Sequence, residues 1–220
     1  TNVEYSFPRE IQGKENQGRV VGITSSVPNE FKSTTSVNLA LALAEEGKRV
    51  LLLDCDLRKT DLQASLQLPE SKGVSDYLIG TASMEDALHT GVMHTGLDVL
   101  LGGTFPPNPS ELLASGRMLE MIDQLKQKYD FIIVDLPPLM EVPDALVAGR
   151  FCSGMLVIVR EHFTAVKDLE QTVRGLEYAG LRILGMVLTG DSGSTSRSKY
   201  YKYKYGYRYG YGYGYYKHRK

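Results

Sequence analysis

One lysine, one serine and three acids at the ends of apolar runs are the residues of this 220-residue sequence best suited to chemistry. Lys32, Ser33 and Thr34 open a long, mostly apolar segment that stops at Gly47, and turn formers separate them from the short apolar run of Val20, Val21 and Ile23. That spacing predicts strand, loop and helix. A helix start leaves its first amides without intrahelical partners at the positive end of the dipole, so a loop that gathers those amides holds a polyphosphate. Lys32 adds a mobile cation and Ser33 a hydroxyl for Mg²⁺. The candidate phosphate cradle is therefore Asn29, Glu30, Phe31, Lys32, Ser33 and Thr34. The usual pattern would place glycine at 26 and 31, where this chain has Ser26 and Phe31. Asp54 closes the run RVLLLD, Asp56 follows it, and Asp135 closes FIIVD. Phosphoryl transfer needs phosphate charge neutralised, a metal held and an acceptor hydroxyl relieved of its proton. A residue type is present for each of these needs, with Lys32 and the loop amides for phosphate, Ser33 and one or two aspartates for Mg²⁺, and another aspartate as base.

Those residues need elements to hold them. The continuous apolar run Arg49–Asp54 reads as a strand buried on both faces. Gly73–Leu88 reads as short helical pieces broken by Gly80, Leu97–Leu101 as a third strand, and Phe131–Asp135 as a fourth. Pro106–Tyr129 predicts one helix, with Asn108 as cap, Pro109 at the first position and Glu111 at the third. Gly154–Val159 and Ile183–Leu188 add two strands. Between them Val166, Leu169, Val173 and Leu176 recur at helical spacing, and Gly180 ends that helix. Strands alternating with helices predict an α/β fold with a doubly wound, mostly parallel sheet. Ligands of such sheets lie beyond the carboxyl ends of the strands, which is where Lys32, Ser33, Asp54, Asp56 and Asp135 fall.

At 42% hydrophobic the chain can bury the core of one ordinary domain. It has no apolar run of about 18 residues and no basic-then-apolar leader. Cys55 and Cys152 are far apart, which argues against a disulfide framework or zinc site and fits a reducing cytoplasm. His89, His94 and His162 lack metal spacing, and no Ser-His-Asp set can be assembled. The net charge of -1 conceals an asymmetry: eight Lys/Arg and no acid follow Ser192, leaving residues 1–191 with 17 cations against 26 acids, a net of -9. The expected organisation is a linker or the end of an upstream helix over 1–18, the domain over 19–191, and a tail over 192–220. In the tail Tyr200, Tyr201, Tyr203, Tyr205, Tyr207, Tyr209, Tyr211, Tyr213, Tyr215 and Tyr216 alternate with Lys, Arg and Gly without aliphatics, a composition that stays disordered. Cations interleaved with aromatics can stack on bases, but no RNA-binding module accompanies them, and nucleic acid is not an expected partner.

The segments SSVPNEFKSTTSVNLA, VLLLDCDLRKT, KGVSDYLIG, GGTFPPNPSELLAS and YDFIIVDLPP, followed by a tyrosine-rich C-terminus, resemble the cytoplasmic kinase domain of bacterial tyrosine kinases, the partners or C-terminal halves of polysaccharide co-polymerases. The likeness covers nearly the whole chain, with the motifs in the family's order. It implies a P-loop NTPase-like fold that uses ATP/ADP and Mg²⁺. It places Lys32 and Ser33 in Walker A, Asp54 and Asp56 in the second acidic motif with Asp54 as base and Asp56 as magnesium ligand, and Asp135 as the Walker B acid, a third metal-site residue beside Ser33 and Asp56. It further implies autophosphorylation of the tail tyrosines in trans, control of exopolysaccharide or capsule polymerisation and export, and residence on the cytoplasmic face of the inner membrane. The partners it implies are the tails of neighbouring subunits, a transmembrane co-polymerase domain and a tyrosine phosphatase. Thr1-Asn2-Val3 resembles the residues just after the family's E-x-x-R-x-x-R contact motif. Relatives usually read P-G-E-G-K-S, whereas this chain reads Pro28-Asn29-Glu30-Phe31-Lys32-Ser33. A ring at 31 costs about 1–2 kcal/mol if the position needs a left-handed backbone, and crowds the phosphates if it does not. Thr189 stands where relatives often have an asparagine near the adenine. The alternative is a kinase-like regulatory module that binds nucleotide poorly and whose tail another kinase phosphorylates. A partitioning-type ATPase is disfavoured, because that group's signature lysine would fall at Val27.

Overall fold

Seven strands in the order β3-β4-β2-β5-β1-β6-β7 form the sheet that positions the site. The computed structural model describes residues 17–59 and 61–190; the tail expected over 192–220 and the linker expected over 1–18, save its last two residues, lie outside the described residues. Along the chain β1 (Arg19–Ser25), α1 (Lys32–Glu45) and β2 (Val50–Asp54) are followed by α2 (Asp61–Leu66), α3 (Val74–Ile79), α4 (Met84–Ala87), β3 (Leu88–Val92) and β4 (Leu97–Leu100). Then come α5 (Pro109–Leu113), α6 (Gly116–Lys128), β5 (Phe131–Asp135), α7 (Asp144–Gly149), β6 (Gly154–Arg160), α8 (Val166–Tyr178) and β7 (Ile183–Thr189). Every neighbouring pair is parallel except β3 with β4.

Strand residues alternate between two cores. Val20, Leu51, Leu53, Ile132, Val134, Met155 and Val157 face one side, where Met118, Met121, Ile122 and Leu125 of α6 and Leu176 of α8 cover them. Val21, Ile23, Val50, Leu52, Ile133, Leu156 and Ile158 face the other, covered by Val37, Ala40, Leu43 and Ala44 of α1. Those α1 positions recur every three or four residues, so one stripe of the helix is buried and the other left to solvent. A sheet covered on both faces needs its strands apolar throughout, which explains the unbroken runs VLLLD and FIIVD.

Three sequence expectations change. The third strand in chain order is β3, an antiparallel edge strand within LHTGV, and the run at Leu97 is the fourth. The region expected as one helix over Pro106–Tyr129 is two, because Ser115 accepts from the Met118 amide at 3.2 Å and starts α6 afresh. Pro109 does open α5, but the Asn108 side chain makes no cap bond to the backbone and instead donates to the Glu111 carboxylate.

A buried carboxylate fixes the loop after β4. Asp76 accepts from the Gly73 amide (3.1 Å), the Thr104 amide (3.0 Å), the Thr104 hydroxyl (2.9 Å) and Lys72 Nζ (3.2 Å). The first amides of α3 also donate into that loop, Val74 to the Leu101 carbonyl at 2.8 Å and Ser75 to the Gly102 carbonyl at 3.0 Å. A side chain at Gly73 would run into the Leu101 carbonyl, and one at Gly103, whose φ is +80, into Asp76 itself. Burial alone would raise the Asp76 carboxyl, but the Thr104 amide and hydroxyl, Lys72 and the Gly73 amide outweigh it and hold the group below the ordinary range. A folded value below the unfolded one gives stability that is present above about pH 4 and lost as pH falls through the folded value. Asp76→Asn should therefore cost about 2–3 kcal/mol at pH 7, since two acceptor oxygens become one and a donor faces donors. Urea unfolding should show that gap narrowing by pH 3, and a gap independent of pH would contradict the assignment.

Candidate active site

β2 and β5 pair with Asp54 directly opposite Asp135, so sheet register alone sets these two carboxylates side by side at the strand ends. The loop after β1, between its neighbours β5 and β6, brings α1 over them with Lys32 as its first residue. Lys32 Nζ lies 2.9 Å from Asp135 Oδ2 and 3.8 Å from Asp56 Oδ2. Ser33 donates to Asp135 Oδ2 at 2.7 Å, and the Asp56 amide donates to Asp54 Oδ1 at 3.1 Å. Lys32, Asp54, Asp56 and Asp135 are all buried. The predicted lysine, serine and three aspartates thus converge on one point.

Sequence reading missed Ser36, whose hydroxyl donates to Asp135 Oδ1 at 2.7 Å. Its signal was available, because a residue four positions after Lys32 shares its helix face. Also missed was Asp144, fully buried at the start of α7. Arg58 Nε reaches its Oδ2 at 2.9 Å, and the Ser110 hydroxyl donates to its Oδ1, so the segment after Asp56 is tied to α5 and α7.

The electrostatics follow from burying three acids with one base. Burial, then the adjacent Asp135 carboxylate, push Asp54 well above the ordinary carboxyl range, with Lys32 pulling the other way. Asp56 is raised by burial too, against the pull of Lys32. Burial alone would lower the Lys32 ammonium, but Asp135 and Asp56 outweigh it and hold the group above its usual value. Cys55, between the two acids, has its thiol pushed well up by burial and behaves as a packing residue.

The loop itself is open to a ligand. Among the described residues the amides of Glu30, Phe31, Lys32, Ser33 and Thr34 meet no acceptor, and the buried Ser26 hydroxyl has no hydrogen-bond partner. Thr34 is exposed on the first turn of α1. The Glu30 side chain faces away into the protein, accepting from the Val27 amide at 2.9 Å and from the Thr164 hydroxyl, while the Thr189 hydroxyl donates to the Glu30 carbonyl at 3.1 Å. Asn29 and Phe31 have φ of 65° and 64°, so position 31 does require a left-handed backbone. The Phe31 ring is turned outward onto Arg160, 4.5 Å from its guanidinium carbon, and does not crowd the cradle.

Beside Asp54 a cleft of about 260 Å³ runs to the loop after β4, lined among others by Leu57, Lys59, Ser71, Thr104 and Phe105. Among the described residues no three His, Cys, Asp or Glu side chains form a metal-holding group by themselves. A magnesium ion held by one or two carboxylates, a serine hydroxyl and phosphate oxygens suits this donor set.

Free amides, a lysine and a serine at a helix start, facing strand-end aspartates across a mostly parallel sheet, define a P-loop NTPase-like fold. A family model described as an AAA domain matches residues 30–178. The chain is 35% identical to the tyrosine-protein kinase YwqD of Bacillus subtilis over 190 residues, 86% of this chain and 77% of that one. It is also 35% identical to the tyrosine-protein kinase Etk of Escherichia coli K12 over 179 residues, 80% of this chain and 24% of that one, and so spans about a quarter of that relative. The solved kinase domain of Escherichia coli Etk superposes with a TM-score of 0.77 at 31% identity, covering 92% of this chain and 75% of that one. The septum site-determining protein MinD of Pyrococcus horikoshii, solved with Mg-ADP, gives 0.67 at 28% identity, covering 82% and 73%. The chain belongs to the bacterial tyrosine kinase family.

The left-handed backbone at Phe31 can be isolated from its ring. Phe31→Gly and Phe31→Ala both lose the contact with Arg160, but only alanine keeps a Cβ at φ 64°. The glycine variant should be more stable than the alanine variant by about 1 kcal/mol in urea unfolding. Equal stabilities would show that the loop relaxes out of that conformation.

Proposed function

We propose that this chain is a protein-tyrosine kinase that transfers the γ-phosphate of ATP to tyrosines of its own C-terminal cluster, Tyr200 to Tyr216, on a neighbouring copy. The observation that carries the reading is the convergence of Lys32, Ser33, Asp54, Asp56 and Asp135, of which Asp54 also lines the adjoining cleft. Lys32 and the amides of residues 29–34 hold the phosphates. Ser33, Asp56 and Asp135 would hold Mg²⁺, which would supply neutralisation of the phosphate charge. Ser36 and Ser33 orient Asp135 through both of its oxygens.

Asp54 is the base. A carboxylate whose proton affinity is raised by burial takes the phenolic proton more readily, the phenolate oxygen bonds to the γ-phosphorus, and the bond to the ADP oxygen breaks. The cleft is sized for a side chain rather than for a whole ligand, and Leu57 and Phe105 give it apolar walls for a phenol. The outward Phe31 ring leaves the cradle open, which favours an active kinase over a regulatory module whose tail another kinase modifies. By family membership the pathway served is exopolysaccharide or capsule polymerisation and export. The partners are then a transmembrane co-polymerase domain and a tyrosine phosphatase, and the site of action is the cytoplasmic face of the membrane. Among the described residues no helix is long and apolar enough to cross a membrane.

The test is incubation of the purified full chain with Mg-ATP, with phosphate located by mass spectrometry. Phosphate should accumulate on the tail cluster, at a rate per molecule that rises with protein concentration. Asp54→Asn should slow it roughly 10²–10⁴-fold with Mg-ADP binding retained, and Lys32→Met should abolish binding in calorimetry. Phosphate mainly on Tyr5, Tyr77, Tyr129 or Tyr178, or none without an added kinase, would sink the proposal.

A further inference from the structure

Arg160, the last residue of β6, carries two phenyl rings: its guanidinium carbon lies 4.5 Å from the centroid of Phe31 and 4.6 Å from that of Phe163. Its Nη1 also donates to the Asn29 carbonyl at 2.9 Å, which fixes the planar cation against the phosphate loop. The rings are 45% and 47% exposed, so each offers a free face to solvent. Scattered exposed apolar residues need no explanation, but two rings gathered on one cation at the rim of a ligand loop do. Phe31 in addition holds a left-handed backbone that costs energy, and strain of this kind collects at binding sites.

The sheet order gives the cluster a direction. Asp54 and Asp135 end β2 and β5, on one side of β1, and Arg160 ends β6, on the other. A nucleotide with its terminal phosphate between Lys32 and Asp54 therefore runs its opposite end away from the aspartates, toward β6. What waits there is a pair of half-exposed aromatic faces backed by a delocalised cation, a surface suited to stacking a flat heteroaromatic ring.

We propose that Phe31, Arg160 and Phe163 form the platform on which the base of the nucleotide stacks, with Phe31 supplying an aromatic face from a left-handed loop position where the usual phosphate-loop pattern has glycine. The proposal rests on the nucleotide reading of the loop, and pyrophosphate separates the two, because it offers the cradle its charge without a base. Calorimetry on the full chain with Mg-ADP and with Mg-pyrophosphate should show Phe163→Ala weakening ADP roughly 5- to 100-fold while pyrophosphate binding stays within about twofold. Phe163 is half-exposed, so the variant should melt close to the parent. A second readout uses the absence of tryptophan from the chain: the emission of Phe163→Trp should be quenched by ADP and unmoved by pyrophosphate. If Phe163→Ala leaves ADP binding unchanged, or weakens ADP and pyrophosphate equally, the rings only brace the loop and the platform is overturned while the nucleotide site stands. If the unaltered chain binds pyrophosphate but gains nothing from the base of ADP, the platform is likewise overturned. Failure to bind either ligand overturns both.

Discussion

The ion pair between Lys32 and Asp135 is the contact on which the rest of the site depends. Its partners come from positions 103 residues apart, the first turn of α1 and the last residue of β5, and both are almost wholly removed from water. A buried pair of this kind is a poor source of stability, since desolvating two charges offsets most of their attraction. What it gives is position. The Ser33 hydroxyl shares Oδ2 of Asp135 with Lys32 and the Ser36 hydroxyl takes Oδ1, so one helix supplies three donors to the carboxylate and the helix start is held over the ends of β2 and β5. Asp54 and Asp56 then face a single ammonium that Asp135 already engages. With three acids sharing one base, a proton or an added cation relieves the surplus, and burial first, then that imbalance, lies behind the upward shift of Asp54.

The phosphate loop solves a related problem with unusual residues. Two non-glycine residues hold left-handed conformations within three positions, and each is fastened from outside the loop. Arg160 takes the Asn29 carbonyl and the Phe31 ring, while Thr164 and Thr189 take the side chain and the carbonyl of Glu30 between them. All three fasteners lie at or beyond the carboxyl ends of β6 and β7. The neighbouring strands thus hold a backbone that glycine would adopt unaided, and they do so without placing side chains over the free amides at the start of α1.

How much of this could be read from the chain alone depends on the range of each interaction. The central strands were legible because a sheet buried on both faces demands long apolar runs, and their terminal aspartates were legible as the point where such a run meets a charge. Edge strand β3 was not, because LHTGV is half-exposed, carries a glycine and lacks clean alternation. The break between α5 and α6 was hidden because Ser115 and Gly116 sit inside a sequence that keeps its apolar spacing on either side. For Phe31 the sequence posed a choice between strain and crowding, and the fold settles it as strain, with the ring outside. The hold of Arg160 and Thr164 on the loop had no local signature at all, since it arises from the pairing of β1 with β6 across more than a hundred residues.

The same pairing divides the labour of the domain. On one side of β1 the sheet ends in acids and, beyond β4, in a loop that Asp76 locks into place, so the charged groups there are positioned by short, directional hydrogen bonds. On the other side it ends in half-exposed rings on an arginine, contacts that tolerate small changes of angle because dispersion and cation–π attraction are broad functions of geometry. Chemistry that moves one phosphoryl group over a fraction of an ångström needs the first kind of surface. Position 31 can carry a phenyl group without disturbing Lys32, one residue later, because the ring lies outward on Arg160 while the ammonium reaches inward to Asp135 and Asp56.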